Sequence, residues 1–355
     1  MPDSGNPQGT GHSGQLLTPF RSDLAYSDTQ PLALKLGLRI LKGLTVPVTT
    51  MADNGPVGKN ATFAVAYGGG GVWFIAWMLG FANGLLKEGV DLSKAEASIG
   101  TSAGALVGAA IKGGRLAEIT QGMQQLGANP EAANKVLNIS TGAASQLRAQ
   151  SIMGHTTEVT PATLQEIGRA AMAARNAPDY KYVESIDGIL GLTSWPAGHF
   201  TTSADCYTGE SLIVSADSGV TISEAAAASS SLPGVNGPTW LGDRLCMDGG
   251  VSVSSTHAEM LAGAKSVLII GMFDFEAHPP LHVNPSFGLS ERVNPGTAQR
   301  EAATLRAQGA GVHVSIANPD PQTDFMSAAT ISSALEIGMT AGRAEAPLVA
   351  KILAN

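Results

Sequence analysis

Ser102 stands at the centre of a GTSAG segment, with Gly100 two residues before it and Gly104 two residues after it. A serine on a sharp turn between a strand and a helix is the nucleophile elbow of many ester hydrolases. Glycines suit this turn because larger side chains would collide with neighbouring backbone. The following helix also presents its positive N-terminal end to a developing oxyanion. We therefore predict that Ser102 is the nucleophile of an acyl-transfer reaction.

A run of four glycines, Gly68 to Gly71, precedes this serine in the chain. No GK[ST] follows the run and its spacing is not GxGxxG, so it matches neither a Walker loop nor a dinucleotide-binding loop. Backbone amides in such a loop can bind phosphate, or they can form an oxyanion hole for an ester carbonyl. We favour the oxyanion hole because a serine elbow follows on the next strand. The alternative is that the glycines only permit close packing.

Asp248 lies in the segment MDGG and is followed by Gly249 and Gly250. A carboxylate on a tight turn can act as a general base when its pKa is raised by burial. Taken alone this signal is weak, because Asp-Gly turns are common. It becomes informative only in combination with the serine elbow and the glycine loop.

The elements around these motifs follow a strand, loop, helix rhythm. Residues 61–67 predict a buried strand, and a long apolar helix covers residues 72–86. A second strand at residues 95–99 enters the GTSAG turn, and residues 103–112 predict the following helix. This order indicates a parallel α/β arrangement.

The remainder of the chain continues the mixed pattern. We expect a mainly helical region at 115–190, with Thr160 as the N-cap of one helix, and a short helix capped by Ser223. The proline-containing residues 274–296 predict a surface excursion. Further expected elements are strands near 199–203 and 211–214, strands at 266–272 and 312–317, and a helical end at 325–354.

Three parts of the chain are distinguished by composition: a flexible polar tail at 1–30, an N-terminal helix and linker at 31–60, and the main domain at 61–355. Lys35, Arg39 and Lys42 share one face of the apolar segment 32–44. Such a helix suits peripheral contact with a membrane surface. Packing on the domain is the favoured interpretation, because only three charges are involved.

Composition excludes several other classes of protein. Apolar residues make up 44% and charged residues 14%, which permits a large core, and the net charge is −8. An acidic chain does not fit a nucleic-acid partner. Cys206 and Cys246 do not form a CxxC motif; two buried thiols in a reducing compartment are favoured over a disulfide.

The N-terminus has no basic region followed by an apolar run, so we expect no secretory signal. No stretch approaches the roughly 18 apolar residues of a membrane span. A cytoplasmic location without a transmembrane segment is the simplest expectation, and we see no pattern that indicates a metal or another cofactor.

Taken together, the three motifs resemble the patatin-like phospholipases in order and spacing. The resemblance extends from about Thr62 to Met272, and more loosely to the C-terminal helix. The run GVDLSKAEASIGTSAGALVGA is similar to bacterial members. Before the aspartate, residues 228–233 also match the family's A-S-x-x-x-P element.

The resemblance implies a three-layer α/β/α sandwich with a mainly parallel sheet, related to cytosolic phospholipase A2 catalytic domains. It also implies hydrolysis of lipid esters by a Ser–Asp dyad without a histidine. Ser102 would attack the ester carbonyl, and Asp248 would accept the serine proton and later help to activate water. Backbone amides of Gly69, Gly70 and Gly71 would stabilise the oxyanion.

The first loop departs from the family pattern. Many members have GGGxRG there, whereas this chain has GGGVWF at residues 69–74, so Trp73 and Phe74 occupy the Arg and Gly positions. As candidates for the wall of the acyl pocket, these aromatics would favour short or medium acyl chains. The alternative is that both are core residues unrelated to the substrate.

An α/β-hydrolase esterase is the first rival interpretation. The chain order Ser102, Asp248 and then a histidine such as His278, His282 or His313 is permitted for its triad. Against it, the glycine loop lies on the strand just before the elbow, and no HG-type oxyanion motif is present.

Two other rivals share the fold of the favoured interpretation. One is an inactive lipid-binding relative, which the Trp73–Phe74 departure supports and the intact catalytic residues oppose. The other is an acyltransferase, which differs only in its acyl acceptor. His257 follows the MDGG turn closely, and we expect it to serve packing or hydrogen bonding at a helix start.

Overall fold

The computed structural model describes residues 48–129, 131, 133, 142–274, 289–320 and 322–354. These residues belong to one compact unit whose bounds are Thr45 and Asn355. The predicted polar tail and the basic segment 32–44 lie outside the described residues.

The secondary structure alternates between strands and helices. The strands are β1 (Thr49–Thr50), β2 (Phe63–Tyr67), β3 (Ala97–Gly100), β4 (His199–Asp205), β5 (Ser211–Val214), β6 (Thr239–Leu241), β7 (Arg244–Asp248), β8 (Ser266–Met272) and β9 (Gly311–Ala317). The α-helices are α1 (Met51–Asn54), α2 (Gly71–Lys87), α3 (Ala103–Lys112), α4 (Leu116–Ala128), α5 (Ala144–His155), α6 (Pro161–Ala173), α7 (Asp179–Leu190), α8 (Ile222–Ser229), α9 (Leu289–Val293), α10 (Thr297–Ala307) and α11 (Ile331–Leu353). Short 3₁₀ helices cover Leu92–Lys94, Ala216–Ser218, Ala258–Leu261 and Ala328–Thr330.

The strands form a single sheet in the order β1-β5-β4-β3-β2-β8-β9. The five strands from β4 to β9 in this order are parallel, whereas β5 and β1 are antiparallel additions at one edge. β7 pairs antiparallel with both β4 and β6. Helices cover both faces, so the expected three-layer α/β/α sandwich with a mainly parallel sheet is confirmed.

Strand β2 shows how the sheet serves two cores. Phe63, Val65 and Tyr67 join the core beneath α2, α3, α4 and α11. The alternate residues Ala64 and Ala66 join the core beneath α10 and the 258–261 turn. A strand that is buried on both faces carries apolar side chains at every position, which accounts for the continuous apolar run in its sequence.

Helices α2 and α11 pack with their backbones in close contact. A Cβ atom added at Gly338 would collide with the carbonyl of Trp77, and one at Gly342 would collide with the carbonyl of Phe81. Glycine on α2 serves the same purpose, because a Cβ at Gly80 would collide with α11 backbone. Glycines spaced by four residues on both helices therefore bring α11 onto the helix that follows the glycine loop.

Several boundaries differ from the expectations. The sheet begins before residue 61, because Thr49 and Thr50 pair with β5. The cap of α8 is Thr221 rather than Ser223, since the Thr221 side chain accepts from the backbone N–H of Glu224. The final helix α11 starts at Ile331, after a 3₁₀ turn.

Segment 274–296 also differs from the predicted surface excursion. Part of it, residues 275–288, lies outside the described residues. The part that follows forms α9, in which Leu289, Ser290 and Glu291 are buried. The sequence pattern did not predict this helix, because it is only five residues long and lies in a proline-containing segment.

Cys206 and Cys246 are both free and fully buried. Their side chains belong to different core clusters, in one case with Met153 and Ile167 and in the other with Leu212 and Val214. Burial raises the pKa of the Cys206 thiol to about 12, which keeps it protonated. The part of the prediction that concerns two free, buried thiols is therefore confirmed.

Among the described residues, no helix is both long enough and apolar enough to span a membrane.

Candidate active site

Strand β4 brings the serine and the aspartate together. β3 runs parallel to its first half and ends at Gly100, which lies opposite Thr201. β7 runs antiparallel along its second half and ends at Asp248, which lies opposite Ser203. The ends of β3 and β7 therefore face each other along β4, and the residues that follow these two strands lie close together.

The turn after β3 has the geometry of a nucleophile elbow. Ser102 adopts φ 53° and ψ −118°, a conformation that is strained for a residue with a side chain. A Cβ atom at Gly104 would collide with the carbonyl of Tyr67, and one at Gly100 would collide with the carbonyl of Gly104. The glycines are thus needed for steric reasons, as expected, and Ser102 sits immediately before the first turn of α3.

Ser102 and Asp248 are joined directly. The Ser102 Oγ donates a hydrogen bond to Oδ2 of Asp248 at 2.7 Å. The other carboxylate oxygen, Oδ1, accepts from the backbone N–H of Gly250 at 2.8 Å. Asp248 is only 4% exposed, and burial raises its pKa from 3.8 to about 7. A carboxylate with such a pKa can accept a proton from a hydroxyl near neutral pH.

The end of α8 hydrogen-bonds to the turns that carry Ser102 and Asp248. Ser229 Oγ accepts from the backbone N–H of Ser102 at 2.8 Å, and its carbonyl accepts from the N–H of Gly249 at 3.1 Å. The carbonyl of Ser231 accepts from the N–H of Asp248 at 3.0 Å. Ser229 was not predicted as a site residue, although it lies in the A-S-x-x-x-P element, which was a usable signal.

The glycine loop passes beside the serine. A Cβ atom added at Gly69 would lie 3.3 Å from the Ser102 Cβ. Gly71 has a φ of 69°, a region that favours glycine, and begins α2. The N–H of Gly68 is engaged by the carbonyl of Ile270, whereas those of Gly69, Gly70 and Gly71 have no acceptor among the described residues. All three glycines line the cavity beside Ser102.

A cavity of about 110 Å³ opens at this point. Its wall includes Ser102, Asp248 and the three glycines of the loop. Most of the remaining wall is apolar and comes from α2, α3, α4 and α7; it includes Ile75, Leu106, Val107, Ile119, Met123 and Ile186. A cavity with such an apolar wall suits an acyl chain.

Trp73 and Phe74 do not line this cavity. Both are buried and belong to the core cluster that α2 shares with α11. The Trp73 ring meets the Phe325 ring edge to face at 6.3 Å, and the Phe74 ring stacks on Trp77 at 5.7 Å. The expectation that these aromatics wall the acyl pocket is therefore not supported, because neither lines the cavity and both rings pack on other aromatic rings.

The described histidines have partners away from the dyad. His257, the cap of the 258–261 turn, contacts Ser252 Oγ at 3.1 Å and Glu259 at 3.3 Å, which fits the expected role at a helix start. His313 Nε2 contacts Glu345 at 2.8 Å. His278 and His282 lie outside the described residues.

The loop after Asp248 is anchored to α10. Glu301 Oε2 accepts from Thr256 Oγ1 at 2.6 Å and from the N–H of Ala258 at 2.9 Å. The Glu301 carboxyl is buried away from water, and this burial raises its pKa. In the described part of the chain, no three His, Cys, Asp or Glu side chains gather as a metal site would require.

Comparison with known proteins places Ser102 and Asp248 within one family match. A family model described as patatin-like phospholipase matches residues 65–262, more than half of the chain, and this range contains both Ser102 and Asp248. Among curated proteins, none matches the sequence significantly.

Two solved structures show distant likeness. The type III effector protein ExoU is 14% identical with a TM-score of 0.35, and the match covers 83% of this chain but only 54% of that chain. VipD from Legionella pneumophila is 13% identical with a TM-score of 0.41, covering 88% of this chain and 73% of that chain.

Proposed function

The chain belongs to the patatin-like phospholipase family, and from this premise we propose that it is a serine acyl hydrolase that cleaves carboxylic esters of lipids with a Ser–Asp dyad. The observation that carries the proposal is the 2.7 Å hydrogen bond from Ser102 Oγ to Asp248 Oδ2. It joins a hydroxyl on a strained elbow to a buried carboxylate in the wall of a largely apolar cavity.

Acylation begins with the ester carbonyl beside Ser102. Asp248 Oδ2 accepts the hydroxyl proton while Oγ attacks the carbonyl carbon. The resulting tetrahedral oxyanion receives hydrogen bonds from the amides of Gly69, Gly70 and Gly71. Collapse of this intermediate expels the alcohol, which takes the proton from Asp248, and leaves the acyl group on Ser102.

Deacylation repeats these steps with water. The carboxylate of Asp248 takes a proton from a water molecule, which attacks the acyl carbonyl. The second oxyanion uses the same amides, and its collapse returns the proton to Ser102 Oγ and releases the fatty acid. An alcohol in place of this water would give acyl transfer by the same residues.

The elevated pKa of Asp248 fits this cycle. A carboxylate with the ordinary pKa near 3.8 is a weak base toward a serine hydroxyl, whereas a pKa of about 7 narrows the gap. The cost is that the base must be ionised to act, so activity should rise as pH increases through that range. The apolar wall around Ile75, Leu106 and Ile119 would receive the acyl chain.

Ester hydrolysis by wild type and Ser102→Ala tests the proposal. The assay measures release from p-nitrophenyl esters and from phospholipids, with circular dichroism to establish that both proteins are folded. We expect the variant to be folded and inactive on every substrate. A folded variant that keeps its activity would contradict the proposal, and a wild type that binds lipid without cleaving it would favour the inactive relative.

A further inference from the structure

Part of the cavity wall comes from elements with no role in the dyad. Glu291 on α9 and Ser255 in the loop after β7 line the same cavity as Ser102 and Asp248. Glu291 is 8% exposed, and Oε2 of its carboxylate accepts from Ser290 Oγ at 3.0 Å. The side chain of Ser255 also hydrogen-bonds this carboxyl. A buried carboxyl and a hydroxyl thus interrupt an otherwise largely apolar wall.

Two of the described residues that line the cavity carry carboxyl groups. Among the described residues that line it, none is Lys, Arg or His, whereas Asp248 and Glu291 both contribute. The neighbouring Arg292 does not line the cavity. Its guanidinium donates to the carbonyls of Met153 at 2.6 Å and Gly154 at 3.0 Å, at the end of α5.

This charge distribution works against an anionic substrate. A phosphate that enters the cavity loses water and finds no cationic side chain in the described wall, and unpaired burial of a charge is costly. Burial already raises the pKa of both Asp248 and Glu291. An additional negative charge therefore either meets an ionised carboxylate or forces it to bind a proton, and both outcomes cost free energy.

An uncharged alcohol has the opposite relation to these groups. Hydroxyls of glycerol can donate to the Glu291 carboxylate and also to Ser255 Oγ, whose own hydrogen is engaged by Glu291. We propose that Glu291 and Ser255 form the subsite for the alcohol part of the ester, and that they select uncharged alcohols, such as the glycerol of acylglycerols, over alcohols that bear phosphate. This inference rests on the proposed function, because the cleaved ester must lie at Ser102.

A matched pair of substrates tests the selection in the wild type. Dioctanoylglycerol and dioctanoylphosphatidic acid differ only in the phosphate, and both are presented in mixed micelles of an uncharged detergent. We expect kcat/KM for the glyceride to exceed that for the phosphatidic acid by about tenfold or more, given the strength of charge interactions in partly buried sites. Equal values, or a preference for the phosphatidic acid, would overturn the proposal.

Glu291→Gln then assigns the selection to its source. It removes the charge but keeps a hydrogen-bonding group of similar shape, so the ratio should fall about fivefold or more, chiefly through faster cleavage of phosphatidic acid. Glu184→Gln on α7 is the matched control, since it makes the same change in net charge at an exposed site outside the cavity. An unchanged ratio in Glu291→Gln, or an equal change in Glu184→Gln, would contradict the role of Glu291.

Two further readouts keep the test decisive. If Glu291→Gln does not fold by circular dichroism, Ser255→Ala takes its place, and the expected result is a higher KM for the glyceride with little change in kcat. An unchanged KM would then count against the subsite. Ser102→Ala must be inactive on both substrates; residual activity there would contradict the proposed function, whatever the substrate ratio shows.

Discussion

The backbone N–H of Ser102 donates to the hydroxyl of Ser229 at 2.8 Å, which joins the elbow after β3 to the last turn of α8. The two residues lie 127 positions apart in the chain. Because Ser102 has φ 53° and ψ −118°, its backbone needs external support to remain in that conformation. Ser229 supplies this support without a contact to the Ser102 hydroxyl, so in the proposed mechanism it acts as a positioning residue.

Replacement of Ser229 should therefore affect turnover more than binding. We expect Ser229→Ala to lower kcat about tenfold, since small displacements of a nucleophile are costly, and to leave KM nearly unchanged. Ser231→Ala is the matched control: its hydroxyl is also buried, but it contacts Ala227 and Thr239 instead of the elbow. Equal losses in the two variants would show that the effect is general loosening of this segment.

The role of Asp248 as a base predicts a dependence on pH and on its own side chain. Only the ionised carboxylate can accept the Ser102 proton, so kcat/KM should rise with pH and level off above about 7. Asp248→Asn should lower kcat by about a hundredfold or more, as expected for loss of a general base.

Histidine variants separate the dyad from a triad. His257→Ala and His313→Ala should each lose less than about tenfold in kcat, because neither ring contacts the dyad. The same result is expected for His278 and His282. A histidine variant as inactive as Ser102→Ala would move the protein to the triad class.

The raised pKa of Asp248 also predicts how stability depends on pH: its contribution to stability falls as pH rises, whereas activity increases. The pKa of Asp248 is raised on folding from 3.8 to about 7, so the folded protein holds this proton more tightly than the unfolded chain. The burial cost is therefore absent below pH 3.8, grows as pH rises towards about 7, and is fully present above it.

Asp248→Asn should remove this cost. We expect its Tm to exceed that of the wild type above pH 7 and to approach it near pH 4, as measured by thermal unfolding at both pH values. A Tm that is lower than that of the wild type at high pH would contradict the burial argument.

The cavity wall predicts where acyl-chain length is controlled. Leu106 belongs to the apolar part of the cavity wall, and a larger side chain there leaves less room for an acyl chain. Leu106→Phe should therefore shift the optimum of kcat/KM towards shorter acyl chains in a series of p-nitrophenyl esters. Trp73→Phe is the comparison variant, because Trp73 packs on Phe325 outside the cavity. It should cost roughly 0.5–3 kcal/mol of unfolding free energy and leave the chain-length profile unchanged. A shifted chain-length profile in Trp73→Phe would support the alternative that this aromatic side chain forms part of the acyl pocket.

Local sequence signals predicted the parts of the site that depend on short segments. The GTSAG turn needs glycine at two positions for steric reasons, and strand β2 is a continuous apolar run. These features are encoded within a few residues, so Ser102, its elbow and the following helix α3 could be located before the structure. Asp248 required the combination of three motifs, because an Asp-Gly turn by itself has no specific meaning.

The residues that escaped prediction depend on distant contacts. Ser229 acts through a partner 127 residues away, and Glu291 reaches the cavity from a five-residue helix in a proline-containing segment. The Trp73 ring packs on Phe325, a residue far along the chain, and the local sequence pattern could not predict this contact. Periodicity described α2 as buried on nearly every side, but it could not tell which side faced the cavity.

The most direct test of the central claim is covalent labelling by a fluorophosphonate, followed by mass-spectrometric mapping of the modified peptide. The account predicts one adduct, on Ser102, that forms readily in the wild type, slowly in Asp248→Asn and not at all in Ser102→Ala. An adduct on a different residue, or labelling at the wild-type rate in Asp248→Asn, would contradict the assignment of Ser102 and Asp248 as the catalytic dyad.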